Sequence, residues 1–212
     1  MTFTVYGPAY STYARTVRLA LEEKDAGYDL VEVDMLSGAH QQPEHLARQP
    51  FGPVPAFEHD GFVLYETDAI IRYIDDVVEG PMLEPRDPRD RARMNQIIGI
   101  NDSYGYPAII LKLFWQRAVV PMMGGQADEA IVAAALPRTR LVLSEIERIM
   151  GGSPWLAGSD LSLADVMVAP VMAYLHMTPE ANTLMAERPK LAQWWQTMSA
   201  RPSMQRTAPK LG

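Results

Sequence analysis

Residues 49–57, Gln-Pro-Phe-Gly-Pro-Val-Pro-Ala-Phe, and the Glu66-Thr67-Asp68 that follows, constrain the fold more than any other stretch. Pro55 abuts Ala56-Phe57, a short apolar run ended by the turn signal Asp60-Gly61. Proline lacks a backbone N–H, so it belongs at the first residue of a strand or at a sheet edge. A cis Val54–Pro55 bond would reverse the chain and turn the N–H and C=O of Val54 outward, where an extended peptide can pair with them. Glu66-Thr67 precedes Ala69-Ile70-Ile71-Arg72-Tyr73-Ile74, an apolar run with helical spacing. That position predicts a helix N-terminus, whose free N–H groups and dipole attract a carboxylate. Strand-edge pairing at one end and an anion seat at the other make a site for a small acidic peptide.

The surrounding pattern places this site in a mixed α/β domain. Phe3–Tyr6 is rich in β-formers, and Ala14, Val17, Ala20 and Leu21 recur at helical spacing. Tyr28–Val33 reads as a second strand, and Pro43–Arg48 as one or two helical turns. Two apolar runs flank Asp60-Gly61, a strong hairpin signal. The order βαβ, then ββα, predicts a small sheet with helices on its faces. Gly80–Pro88 holds three prolines and reads as a linker. Beyond it, 89–120, 128–150, 162–177 and 189–200 all read as helix. The expected domains are 1–79, linker 80–88, and an all-helical 89–212.

Charge and composition narrow the function. A net charge of −7 argues against nucleic acid, which favours basic surfaces. The N-terminus has no basic, apolar leader, and no run approaches the roughly 20 residues of a membrane span. A cytoplasmic chain is the expectation. The sequence contains no cysteine, which removes disulfides, thiolate metal sites and protein-thiol nucleophiles together. Any thiolate at its site must come from a ligand.

Val-Pro-Ala-Phe, a hairpin, then Glu-Thr-Asp-Ala-Ile-x-Arg-Tyr-Ile resembles the glutathione-binding domain of cytosolic glutathione transferases. Val5–Arg15 and Val33–His40 are similar to the phi class of that family, and Leu156–Asp165 fits its C-terminal domain. The resemblance implies a thioredoxin-like N-terminal domain and an all-α C-terminal domain. It implies transfer of glutathione to apolar electrophiles, with glutathione as co-substrate and no resident cofactor. Glutathione-dependent peroxidase activity, or a non-catalytic binding or assembly module, are the alternatives.

Ser11 follows the first strand, where a hydroxyl ordinarily caps a helix. By resemblance it is instead the catalytic hydroxyl that serves the glutathione thiolate. Tyr6, Tyr10 and Tyr13 compete locally, because a tyrosine fills that role in other classes; here they read as packing or pocket-wall residues. His40, Gln41, Pro53, Val54, Glu66 and Thr67 are the expected glutathione contacts. Gln41 and Pro53 stand where the phi pattern commonly has Lys and Gln, which removes donors from the ligand's carboxylate end. His40 and His45 lack the spacing of helical metal ligands, and no metal is expected. Thr12, Met35, Trp115 and Val119 are candidates for the wall of the second-substrate pocket. Ser162 and Asp165 read as a capping box, a structural feature and not a general base. Phe51, on a loop held out by Pro50 and Pro53, is the expected anchor of a homodimer.

Overall fold

The computed structural model describes residues 2–209. β1 (Phe3–Tyr6) runs through a four-stranded sheet of order β2-β1-β3-β4, with β2 (Tyr28–Val31), β3 (Ala56–His59) and β4 (Phe62–Tyr65). β2 is parallel to β1, while β3 pairs antiparallel with both β1 and β4. Parallel neighbours need a crossover, which α1 (Thr12–Glu23) supplies. The β3–β4 connection is two residues long. Asp60 and Gly61 take φ of 48° and 87°, the left-handed geometry that matches strand twist in such a hairpin.

A short turn, Ala39–Gln41, and α2 (Pro43–Leu46) lead into the loop before β3, and α3 (Thr67–Val77) follows β4. Val17, Ala20 and Leu21 of α1 and Ile70, Ile71 and Ile74 of α3 are fully buried, as are Val5 and Phe57 of the sheet. Helical spacing put each set on one face, so the helices pack against each other over a common core. Lys24, just past α1, buries its ammonium on Asp75 Oδ1 at 3.0 Å and on the carbonyls of Asp75 and Pro81. Three acceptors satisfy its three protons.

The second unit, Leu83–Ala200, is helical throughout. Asp87 caps α4 (Pro88–Ile100), accepting from the N–H groups of Arg89 and Asp90. The sequence predicts plain helix from 89 to 120, but the winding loosens to i→i+5 bonds over Asn101–Gly105 and Ile109–Val119. Short α turns, α5 (Tyr106–Ala108) and α6 (Val120–Met122), sit at Pro107 and Pro121. Each proline has no N–H for the carbonyl four residues back, and its ring crowds that carbonyl. α7 (Glu129–Met150), α8 (Leu163–Leu175), α9 (Ala181–Ala186) and α10 (Pro189–Ser199) complete the unit. Asp165, in the first turn of α8, is fully buried and accepts from Leu156 N, Ser162 N, Ser162 Oγ and Trp194 Nε1 at 2.7–3.0 Å. Burial pushes its carboxyl up, while the four donors pull the other way. No described helix is long and apolar enough to cross a membrane.

The chain then returns to the first unit, which comprises the residues up to Met82 and those from Arg201 onward. This departs from the expected helical domain of 89–212. α11 (Pro202–Arg206) is held by α1. Buried Arg15 donates to the Met204 carbonyl at 2.9 Å and the Thr207 hydroxyl at 3.3 Å, and Arg18 donates to the Thr207 carbonyl. Arg201 forks both carboxylate oxygens of Glu23.

Candidate functional site

Gly7 is where the parts of the site meet. A Cβ at this position would lie 3.1 Å from Ala14 Cβ in α1 and 3.3 Å from Val54 Cβ. A side chain there would press on both, so glycine suits the close approach of the end of β1, the first turn of α1 and the Val54 loop. Ser11 stands at the N-cap of α1, half-buried, with its Oγ accepting from Ala14 N at 3.2 Å. The capping reading therefore holds. A hydroxyl that accepts still has its own proton to donate, and no described residue takes it.

The tyrosines are otherwise engaged. Tyr6 donates to Glu58 Oε2 at 2.9 Å, with the Arg48 guanidinium 4.3 Å over its ring. Burial and that bond to Glu58 push the Tyr6 hydroxyl up. Tyr10 is also raised, by burial and then by the charges of Asp34 and Glu32. Neither phenol is tuned to act as an anion near neutral pH.

Val54 precedes a cis bond to Pro55 and is buried. Ala56 pairs with Tyr65, so Val54-Pro55 and Glu66-Thr67 leave the sheet side by side. Glu66 adopts φ 70°, ψ 112°, a conformation that costs a residue with a side chain about 1–3 kcal/mol. Its side chain makes no capping bond. Asp68 turns to Arg72 on the same helix at 3.2 Å. The N–H groups of α3's first turn have no intrahelical partner. Thr67, buried at the first position of α3, sets a hydroxyl among them.

His40 and Gln41 lie in the turn after Gly38, and Pro53 is exposed. His40 Nδ1 is buried with no described hydrogen-bond partner. Gln41 reaches Gly52: a Cβ at residue 52, whose φ is +89°, would fall 2.5 Å from Gln41 Nε2. The Gln41 amide is thus brought to the loop leading into Pro53 and Val54. Nothing in the pattern around His45 announced its role. His45 is buried and donates from Nε2 to the Pro53 carbonyl at 3.1 Å, which fixes the tautomer because a carbonyl only accepts. The partner lies across a loop, where spacing carries no signal.

The second-substrate candidates divide between the units. Thr12 is only 5 % exposed and receives no support as a surface wall, whereas Met35 is half-buried. Trp115 is 44 % exposed and Val119 is half-buried, both on the i→i+5 stretch of the helical unit. Phe51 is 74 % exposed, and its ring meets Tyr65 edge-on with centroids 6.1 Å apart.

Residues 1–76 match the model of the glutathione S-transferase N-terminal domain, and residues 107–202 that of the C-terminal domain. Glutathione S-transferase F7 of Arabidopsis thaliana is 33 % identical over 94 % of this chain and 95 % of its own length. The crystal structure of glutathione transferase F7 from Populus trichocarpa superposes with a TM-score of 0.86 at 32 % identity, covering 97 % of each chain. Maize glutathione S-transferase I, in complex with an atrazine glutathione conjugate, matches with a TM-score of 0.86 at 30 % identity, over 97 % of this chain and 96 % of that one. The chain belongs to the glutathione S-transferase family, among relatives of the plant F type.

Proposed function

We propose that this transferase joins the glutathione thiolate to apolar electrophiles, with the Ser11 hydroxyl donating to the sulfur. The observation that carries the reading is the uncapped start of α3, beside Val54, in the same unit as a hydroxyl with an uncommitted proton. The α3 N–H groups and Thr67 take the γ-glutamyl carboxylate, Glu66 its ammonium, and Val54 pairs with the peptide backbone. His40, Gln41 and the Pro53 loop attend the glycine end. Met35 is the first unit's candidate for facing the electrophile, and Trp115 and Val119 are the helical unit's candidates. Glutathione is a co-substrate, and no resident cofactor is needed. The conjugate held by the maize relative supports this substrate class. By the same reading the enzyme is cytoplasmic and detoxifying, since a reducing compartment keeps glutathione a thiol. Calorimetric titration with glutathione is expected to show saturable binding at or below roughly millimolar concentration, the range of ordinary enzyme substrates. An absence of heat at millimolar ligand would replace this reading with a non-catalytic module of the same fold.

The reading includes a two-fold symmetric homodimer, in which Phe51 enters the helical unit of a second copy near α4. An aromatic left this exposed on a proline-held loop needs cover. Symmetry repeats the contact, and an aromatic hot spot contributes about 2 kcal/mol or more per site. Sedimentation is expected to show a dimer whose dissociation constant rises about a thousandfold in Phe51→Ala, which removes two such sites. A wild-type monomer, or an unchanged constant in the variant, removes Phe51 from this role.

A further inference from the structure

The carbonyl of Val31 takes the Gly7 N–H at 3.0 Å, extending the β1–β2 ladder by one bond. The next support comes from a side chain. Glu32 Oε2 takes the Ala9 N–H at 3.3 Å. Pro8, between them, has no N–H to offer. Ser11 N then donates to the Pro8 carbonyl at 2.9 Å, and α1 begins. The turn that delivers Ser11 is therefore tied to the end of β2 at two points, and one of them is a carboxylate.

We infer that Glu32 is a positioning residue for Ser11: its carboxylate holds the turn that aims the hydroxyl and touches neither substrate. The inference rests on Ser11 serving the thiolate. Negative charge this close to Ser11 opposes a second negative charge on sulfur. The carboxylate's useful property is thus its oxygen as an acceptor, and its charge works against the chemistry. Asp34, the neighbouring acid, is occupied within its own turn, where Oδ1 accepts from Leu36 N and Ser37 N.

Substitutions separate acceptor from charge. Glu32→Ala removes both, and Glu32→Gln keeps an acceptor oxygen. Conjugation kinetics of the intact enzyme are expected to show kcat about three- to tenfold lower in Glu32→Ala, the range of one modest hydrogen bond. KM for glutathione stays within about twofold, because Val54 and the α3 N-terminus hold the peptide. Glu32→Gln restores most of the rate. In a Ser11→Ala background, Glu32→Ala makes no further difference, as a double-mutant cycle requires of residues acting through one group. Equal fractional losses in both backgrounds overturn the inference while leaving Ser11's role standing. A Gln variant as slow as the Ala variant, or an Ala variant as fast as wild type, also overturns it. A fully active Ser11→Ala protein overturns the Ser11 reading, and this inference with it.

Discussion

Ser11→Ala is expected to lower kcat/KM for glutathione conjugation by about ten- to a hundredfold. A free thiol has a pKa near 8.5, so only a few per cent is thiolate at neutral pH. Bringing that value down by about two units takes roughly 2.7 kcal/mol. One hydroxyl bond to a charged acceptor contributes about 1.5–3 kcal/mol, and the start of α1 adds a few tenths more. Removing the hydroxyl deletes the larger part. The sign then follows: a donor to sulfur stabilises the anion, so its loss raises the pKa of the bound thiol. The deficit should be greatest below about pH 6.5 and narrow as pH rises through the window up to the free-thiol value. Ultraviolet absorbance of the bound thiolate, followed against pH, measures the shift directly. The same change removes the cap on Ala14 N, worth about 1 kcal/mol of stability, so melting temperature must be recorded alongside rate. Full activity in the variant would end the assignment.

Asp165→Ala is expected to destabilise the helical unit by more than about 4 kcal/mol. Four donors converge on one fully buried carboxylate: Leu156 N and Trp194 Nε1 on one oxygen, Ser162 N and Oγ on the other. An unsatisfied buried donor costs about 1–3 kcal/mol, and the losses here share one cavity, so they do not simply add. Asp165→Asn keeps the shape but sets an NH2 against donors, and should cost nearly as much. Trp194 is buried against this carboxylate and reports the unfolding by fluorescence in urea. A midpoint change equivalent to less than 1 kcal/mol would show that the network is dispensable.

What could be read from the sequence, and what could not, divides by the range of the interaction. Asp60-Gly61 announced its hairpin because positive φ is a local demand that few residue pairs meet. The Ser162–Asp165 cap was legible for the same reason, since both partners lie within one helical turn. The two further donors to Asp165 were not, because Trp194 arrives from α10 and Leu156 from a preceding loop. Ser11 was a candidate by position, but the reason Tyr6 does not compete lies in sheet register. Tyr6 pairs with Ala56, which puts Glu58 on the diagonal within reach of its hydroxyl. Glu66 marked a helix start, but nothing in its neighbours announced its positive φ. His45 and Glu32 act across loops, where no periodicity exists to read. α11 is five residues long, too short to declare itself, and forms against Arg15, Arg18 and Glu23.

That last helix bears on the order in which the enzyme can be made. The first unit is discontinuous along the chain: everything from Leu83 to Ala200 is inserted between its body and its final segment. A ribosome releases residues in sequence, and domains generally begin to fold as they emerge. The sheet, α1 and α3 are therefore complete long before Met204 and Thr207 exist, and until then Arg15 and Arg18 lack the acceptors that those residues provide. The glutathione-binding half reaches its native state only after Met204 and Thr207 have emerged, behind the whole of the helical unit.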